Sequence, residues 1–120
     1  MDNSTQTLCN AIIEGMADKK AHNITQIDLT NVPGAAADAF IICHGDSSTQ
    51  VQAIGDGVEE STEKLLNESP SHKEGKGLGQ WVILDYFNVI VHIFHRDFRD
   101  HYNLEDYWGD GTIKEIKQAG

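Results

Sequence analysis

The stretch that most constrains this chain is residues 81–95, WVILDYFNVIVHIFH, two apolar runs of strand length separated at Phe87-Asn88. Trp, Val, Ile, Tyr and Phe favour extended backbone, and the break reads as the turn of an antiparallel hairpin, with Asn88 supplying a left-handed position. A half-buried strand alternates apolar and polar residues, and neither run does. Both faces of the hairpin should therefore be covered, which implies an α/β fold with helices on both faces of a sheet.

The rest of the chain supplies those layers. Asn3 and Ser4 can cap a helix in which Leu8, Ile12 and Met16 recur every fourth residue, widened by Ile13, with Lys19-Lys20 at its carbonyl end. Residues 24–30 alternate weakly and read as an irregular edge strand, ended by Pro33-Gly34. AFIICHG at 39–45 reads as a buried second strand, and GDSST at 45–49 as a turn entering a helix over about 48–67, with Val51, Ile54, Val58, Leu65 and Leu66 on its core face. Gly55 and Gly57 inside that helix each cost about 1 kcal/mol relative to alanine, which points to another element approaching closely. Residues 69–79 form a Pro/Gly/Ser-rich connection expected to be mobile. A strand–helix–strand crossover predicts that the 39–45 strand and the first hairpin strand run parallel, so the sheet is mixed. Asp97 and Asn103 can each cap a short helical turn, and residues 112–118 should add a polar turn of helix to a frayed 112–120 tail.

One domain, residues 1–120, accounts for the length. With 19 acids against 9 bases the formal charge is −10. That balance argues against sequence-specific nucleic-acid binding, which relies on cations at phosphates, and favours a basic protein surface as partner. No apolar stretch reaches the roughly 20 residues of a membrane span, and the amino terminus lacks the basic character of a targeting peptide, so a soluble, cytoplasmic protein is expected. Cys9 and Cys43 stand apart without a C-x-x-C and read as reduced thiols in or near the core.

Candidate catalytic features are weak. Gly45-Asp46-Ser47 lies between a strand and a helix, where phosphate loops sit, but a nucleotidyl transferase also needs a carboxylate pair for magnesium, and no two acids lie two apart. The loop reads better as a helix-capping turn. His92, His95 and His101 suggest zinc, yet His92 and His95 fall on opposite faces of a strand, and His92 reads as a hydrogen-bonded core residue. No cofactor or metal is required. By contrast, residues 96–108 concentrate Phe98, Tyr102, Tyr107 and Trp108 among Asp97, Asp100, Glu105 and Asp106, with Asp110 just beyond. Aromatic anchors ringed by charge are what protein interfaces use.

ADAFIICHGDSSTQVQAI at 37–54, and EG followed by WVILDYFNVIVHIFHRDFRDHYNLEDYW within 74–108, resemble the Iojap-like ribosomal silencing factor family. The most specific part is VHIF followed by Arg99, Tyr102, Leu104, Glu105 and Trp108 in the spacing R-x-x-Y-x-L-E-x-x-W. Phe87-Asn88 stands where the family often has Gly-Asp, and Gly109-Asp110 follows Trp108, departures that bear on turn geometry. The resemblance implies a single small domain with nucleotidyltransferase-like topology lacking the catalytic acids. It also implies a non-enzymatic factor, commonly a homodimer when free, that binds the large ribosomal subunit through the ribosomal protein of the fourteenth large-subunit type. Such a factor blocks joining of the small subunit, represses translation under scarcity and assists subunit biogenesis. By residue match, the contact role falls on Trp81, Tyr102, Leu104, Glu105, Trp108 and Glu74. The competing readings are a degenerate nucleotidyltransferase-like enzyme and a generic dimeric adaptor.

Overall fold

The apolar runs at 81–95 do form the hairpin, as the middle of a mixed sheet of six strands. In the computed structural model, which describes residues 1–75 and 77–117, these are β1 (His22–Asp28), β2 (Ala39–Gly45), β3 (His72–Glu74), β4 (Trp81–Asp85), β5 (Val89–His95) and β6 (Thr112–Glu115). Their spatial order is β3-β4-β5-β2-β1-β6. β2 and β5 pair in parallel, and every other neighbouring pair is antiparallel. Helices α1 (Asn3–Asp18) and α2 (Ser48–Leu66) cover one face. There Leu8, Ile12 and Met16 of α1 and Val51, Ile54 and Val58 of α2 meet Ile41 and Cys43 of β2, Val82 and Leu84 of β4, and Val91 and Ile93 of β5. The opposite face is covered in part by the loop carrying Val32, Ala35 and Ala37 and by the short α3 (Arg96–Tyr102) and α4 (Leu104–Tyr107), over Ile27, Phe40, Ile42 and Phe94. Two apolar faces per strand are thus explained by two covers of unequal extent.

Local chemistry sets the helix ends. Asp2, one residue before the expected Asn3 and Ser4, caps α1 by accepting the Thr5 amide at 2.8 Å. Ser47 caps α2 by accepting the Gln50 amide at 3.1 Å, and Asn67 closes it in the left-handed conformation. The glycine of α2 that matters for packing is Gly57: a Cβ on Gly15 of α1 would lie 2.6 Å from the Gly57 carbonyl oxygen and 2.7 Å from the Val58 Cα. The helices touch backbone to backbone there, and Ser61 donates to the Ala11 carbonyl at 2.6 Å across the same crossing.

Five sequence expectations are corrected. The 69–79 connection contains β3, an exposed edge strand paired with β4. That extra strand reverses the chain once more, so the parallel partner of β2 is β5 and not the first hairpin strand. Residues 112–115 form β6 and not a helical turn, because an open edge of β1 offers them a ladder from Thr25–Glu115 to Asp28–Thr112. β1 is consequently an interior strand, although its expected irregularity is present as a register shift between His22 and Thr25. Residues 118–120 of the expected tail lie outside the described residues. Finally, the left-handed residue of the hairpin turn is Phe87 (φ 77°), not Asn88. Asn88 is held instead by its amide donating to Thr5 Oγ1 at 2.9 Å, and its backbone N–H closes a three-residue turn to the Tyr86 carbonyl at 3.0 Å.

Candidate partner-binding site

β5 runs directly into α3, and the first turn is capped by His95, whose Nδ1 accepts the Asp97 amide at 3.2 Å. Asp97 was the expected cap; it lies in the first helical turn instead, where its charge suits the helix dipole. Asn103 then adopts φ 45°, which ends α3 and turns the chain into α4, and its side-chain amide donates to Asp106 at 2.8 Å. This fold-back lays the R-x-x-Y-x-L-E-x-x-W segment over the sheet.

Arg99 ties it down. The residue is 8% exposed, and its guanidinium donates to Thr25 Oγ1 at 3.2 Å and the His22 carbonyl at 3.4 Å and meets His44 Nδ1 at 2.9 Å. Burial foremost, then the neighbouring guanidinium and His22, hold His44 below the usual imidazole range, so its ring can accept from Arg99 as a neutral group. Glu105 reaches back to Arg99 Nε at 3.4 Å. Its Oε1 lacks a hydrogen bond of good geometry, so the contact is an ion pair without directional bonding. Glu105 is therefore an internal strut of the α3–α4 turn as well as a partly exposed acid, and reversing its charge would disturb the fold.

Tyr102, 44% exposed, lies with its ring centroid 4.3 Å from that of Trp81, which in turn stacks on Phe94 at 5.0 Å. Leu104 and Trp108 are half-buried and pack against the second core cluster, Trp108 meeting Phe40 edge to face at 5.7 Å. Trp81, Tyr102, Leu104, Glu105 and Trp108 thus come together on the sheet face opposite α1 and α2. Glu74 joins that face at its margin: it pairs with Ile83, and Ile83 shares a side of β4 with Trp81. Glu74 is exposed and meets His72 at 2.9 Å. Sequence reading did not single out Ile83, half-buried beside Trp81, or the anchoring role of Arg99. The first is hidden because WVILD is apolar on both faces, and the second because nothing in one dimension brings Arg99 to Thr25 and His44.

The other candidate chemistry fares differently. Around Gly45-Asp46-Ser47, the Asp46 amide is taken by Gln50 Oε1 at 2.7 Å and the Asp46 carboxylate by His22 at 2.9 Å, so Asp46 bonds to the neighbouring α2 and β1. Among the described residues no three His, Cys, Asp or Glu are grouped so as to hold a metal ion. Cys9 and Cys43 are fully buried, and burial pushes both thiols up to about 12, which makes them inert. No helix of the described residues is long and apolar enough to cross a membrane.

The fold is that of a small mixed-sheet α/β domain, with one face closed by two helices and the other carrying half-exposed aromatic rings on a segment rich in acids. The family model described as "Ribosomal silencing factor during starvation" matches residues 2–119. The chain belongs to the ribosomal silencing factor family. It is 39% identical over 99 residues to the ribosomal silencing factor RsfS of Bacillus subtilis, covering 82% of each chain. To RsfS of Halalkalibacterium halodurans it is 36% identical over 114 residues, covering 95% of this chain and 96% of that one. A crystal structure of a protein from Chromobacterium violaceum is similar with a TM-score of 0.80 at 30% identity, covering 96% of this chain and 92% of that one.

Proposed function

We propose that this protein silences ribosomes by binding the intersubunit face of the large subunit, through the ribosomal protein of the fourteenth large-subunit type, and so keeping the small subunit from joining. The observation that carries this reading is the Trp81–Tyr102 ring pair, left partly exposed on an anchored turn, with Asp97, Asp100 and Asp106 exposed along the same α3–α4 segment and Glu74 exposed on the edge strand β3. Rings of this kind supply anchor energy at an interface, while an acidic rim selects a basic partner and speeds encounter with it. Ribosomal protein surfaces are basic, and a chain of net charge −10 complements them.

The mechanism is steric and requires no catalytic step. A body measuring 35 × 33 × 31 Å cannot fit between surfaces that must meet at contact distance, so occupancy alone prevents joining. This is the activity of a cytoplasmic translation repressor acting under nutrient limitation, with a further use in large-subunit biogenesis and a homodimer as the free form. Co-sedimentation with purified large subunits, followed by titration of small subunits, tests the reading. Stoichiometric binding with loss of joined ribosomes is expected; a protein that stays in the supernatant would refute it.

A further inference from the structure

We propose that His92 is a positioning residue that sets the pose of the Trp81 indole for large-subunit binding, an inference that rests on the partner reading above. Trp81 Nε1–H can only donate, and it donates to His92 Nδ1 at 3.1 Å. An imidazole accepting at Nδ1 carries its proton on Nε2, so this contact assigns both the tautomer and the neutral state of the ring. The Nε2–H is buried and has no hydrogen-bond partner among the described residues. Phenylalanine or leucine in the same place would leave no orphaned donor, so the polar ring is retained at a cost to the fold. Among the described residues the ring's one polar contact is to Trp81, and that contact is what the cost obtains.

The surroundings show why an indole needs such a partner. Trp81 opens β4 directly after a loop whose Gly79 sits at φ 65°, and so stands at the end of its strand. His92 lies in the middle of β5, paired with Ile83 on one side and Ile42 on the other, with Phe40 edge-on at a centroid distance of 4.7 Å. A rigid ring at the sheet centre therefore fixes the rotation of a ring at the sheet margin, and Tyr102 packs on the result at 4.3 Å. The order of dependence is His92, Trp81, Tyr102, running from core to surface.

The chain has two tryptophans, so a nitrogen-15 spectrum resolves two indole N–H signals, with that of Trp108 as internal control. The wild-type Trp81 signal should be shifted by hydrogen bonding and protected from exchange. In His92→Leu that signature is lost and large-subunit affinity falls roughly tenfold, the scale of one ordering hydrogen bond. His92→Asn, whose amide oxygen lies near the Nδ1 position, retains both, whereas His92→Gln, whose oxygen reaches toward Nε2, retains neither. The Asn and Gln variants carry the comparison if His92→Leu does not fold. Freely exchanging Trp81 in the wild type, or equal affinities for Asn and Gln, would overturn the proposal. Trp81→Ala separates it from the reading beneath: wild-type affinity in Trp81→Ala removes this face from the site, while weak Trp81→Ala beside a tightly binding His92→Leu removes only the role of His92.

Discussion

Phe87 occupies φ 77° and is 85% exposed, so its β-carbon is strained while the residue buries little. Asp85 supports the turn by accepting the Phe87 amide at 2.7 Å, a contact that does not need the ring. Phe87→Gly should therefore raise stability by about 1 kcal/mol, read as a higher denaturation midpoint at unchanged slope. A lower midpoint would mean that the ring has a contact of its own. His92 makes a second prediction at this scale, through pH. Burial lowers its pKa from 6.5 to about 4, so between those values the unfolded chain takes up a proton that the folded chain refuses. Stability should fall as pH drops through that window and level off below it, with a loss from this one group of ~3 kcal/mol at about 1.4 kcal/mol per pH unit. His44, shifted the same way, adds to the slope, while Asp2 and Asp28, held low by hydrogen bonds from Thr5 and Thr30, matter only below their ordinary value of 3.8. Calorimetry across pH 4–6.5 should show a shallower dependence for His92→Leu; an unchanged slope would contradict the burial account.

Among the elements, the α1–α2 crossing and the α3–α4 turn carry the tightest constraints. Gly15→Ala gains helix propensity of about 1 kcal/mol but drives a methyl into the Gly57 and Val58 backbone, so a net loss of ~2 kcal/mol is expected in thermal melts. A stabilised Gly15→Ala would show that the helices can part at no cost. At the turn, Arg99→Leu strands Glu105 and leaves Thr25 and His44 without their donor. Roughly 3 kcal/mol should be lost, with hydrogen exchange rising across residues 96–108 before the rest of the sheet; uniform exchange would mean that α3 and α4 are held by their rings alone. Sequence reading reached α1, α2, the hairpin and the aromatic tail because each is written in local periodicity or composition. It missed β3 and β6, which are three and four residues long with every residue exposed, and whose extended backbone is imposed by open edges of β4 and β1. Phe87 as the left-handed residue was missed for a related reason. Propensity favours Asn88, but Asn88 is committed to Thr5 across the fold. The candidate site was legible as a list of residues through its aromatic and acidic spacing, while the support beneath it, Arg99 on His44 and His92 under Trp81, exists only once distant strands are paired.

As a whole molecule, the protein is a sheet closed by α1 and α2 on one face and left with ring surface on the other, so a partner has one apolar face to take. Tyr102 and Trp108 sit differently on that face. Trp108 is half-buried against Phe40, and its truncation should cost stability as well as binding, whereas Tyr102 is 44% exposed and rests on Trp81 from outside. Tyr102→Ala is thus the substitution that separates binding from folding, and the most direct test of the account is its affinity for purified large subunits, measured beside its melting temperature and its effect on subunit joining. The account predicts a variant that stays folded, binds at least thirtyfold more weakly, as expected for loss of an anchor worth about 2 kcal/mol or more, and lets the subunits join. A folded Tyr102→Ala protein that still binds with wild-type affinity and still holds the subunits apart would contradict it.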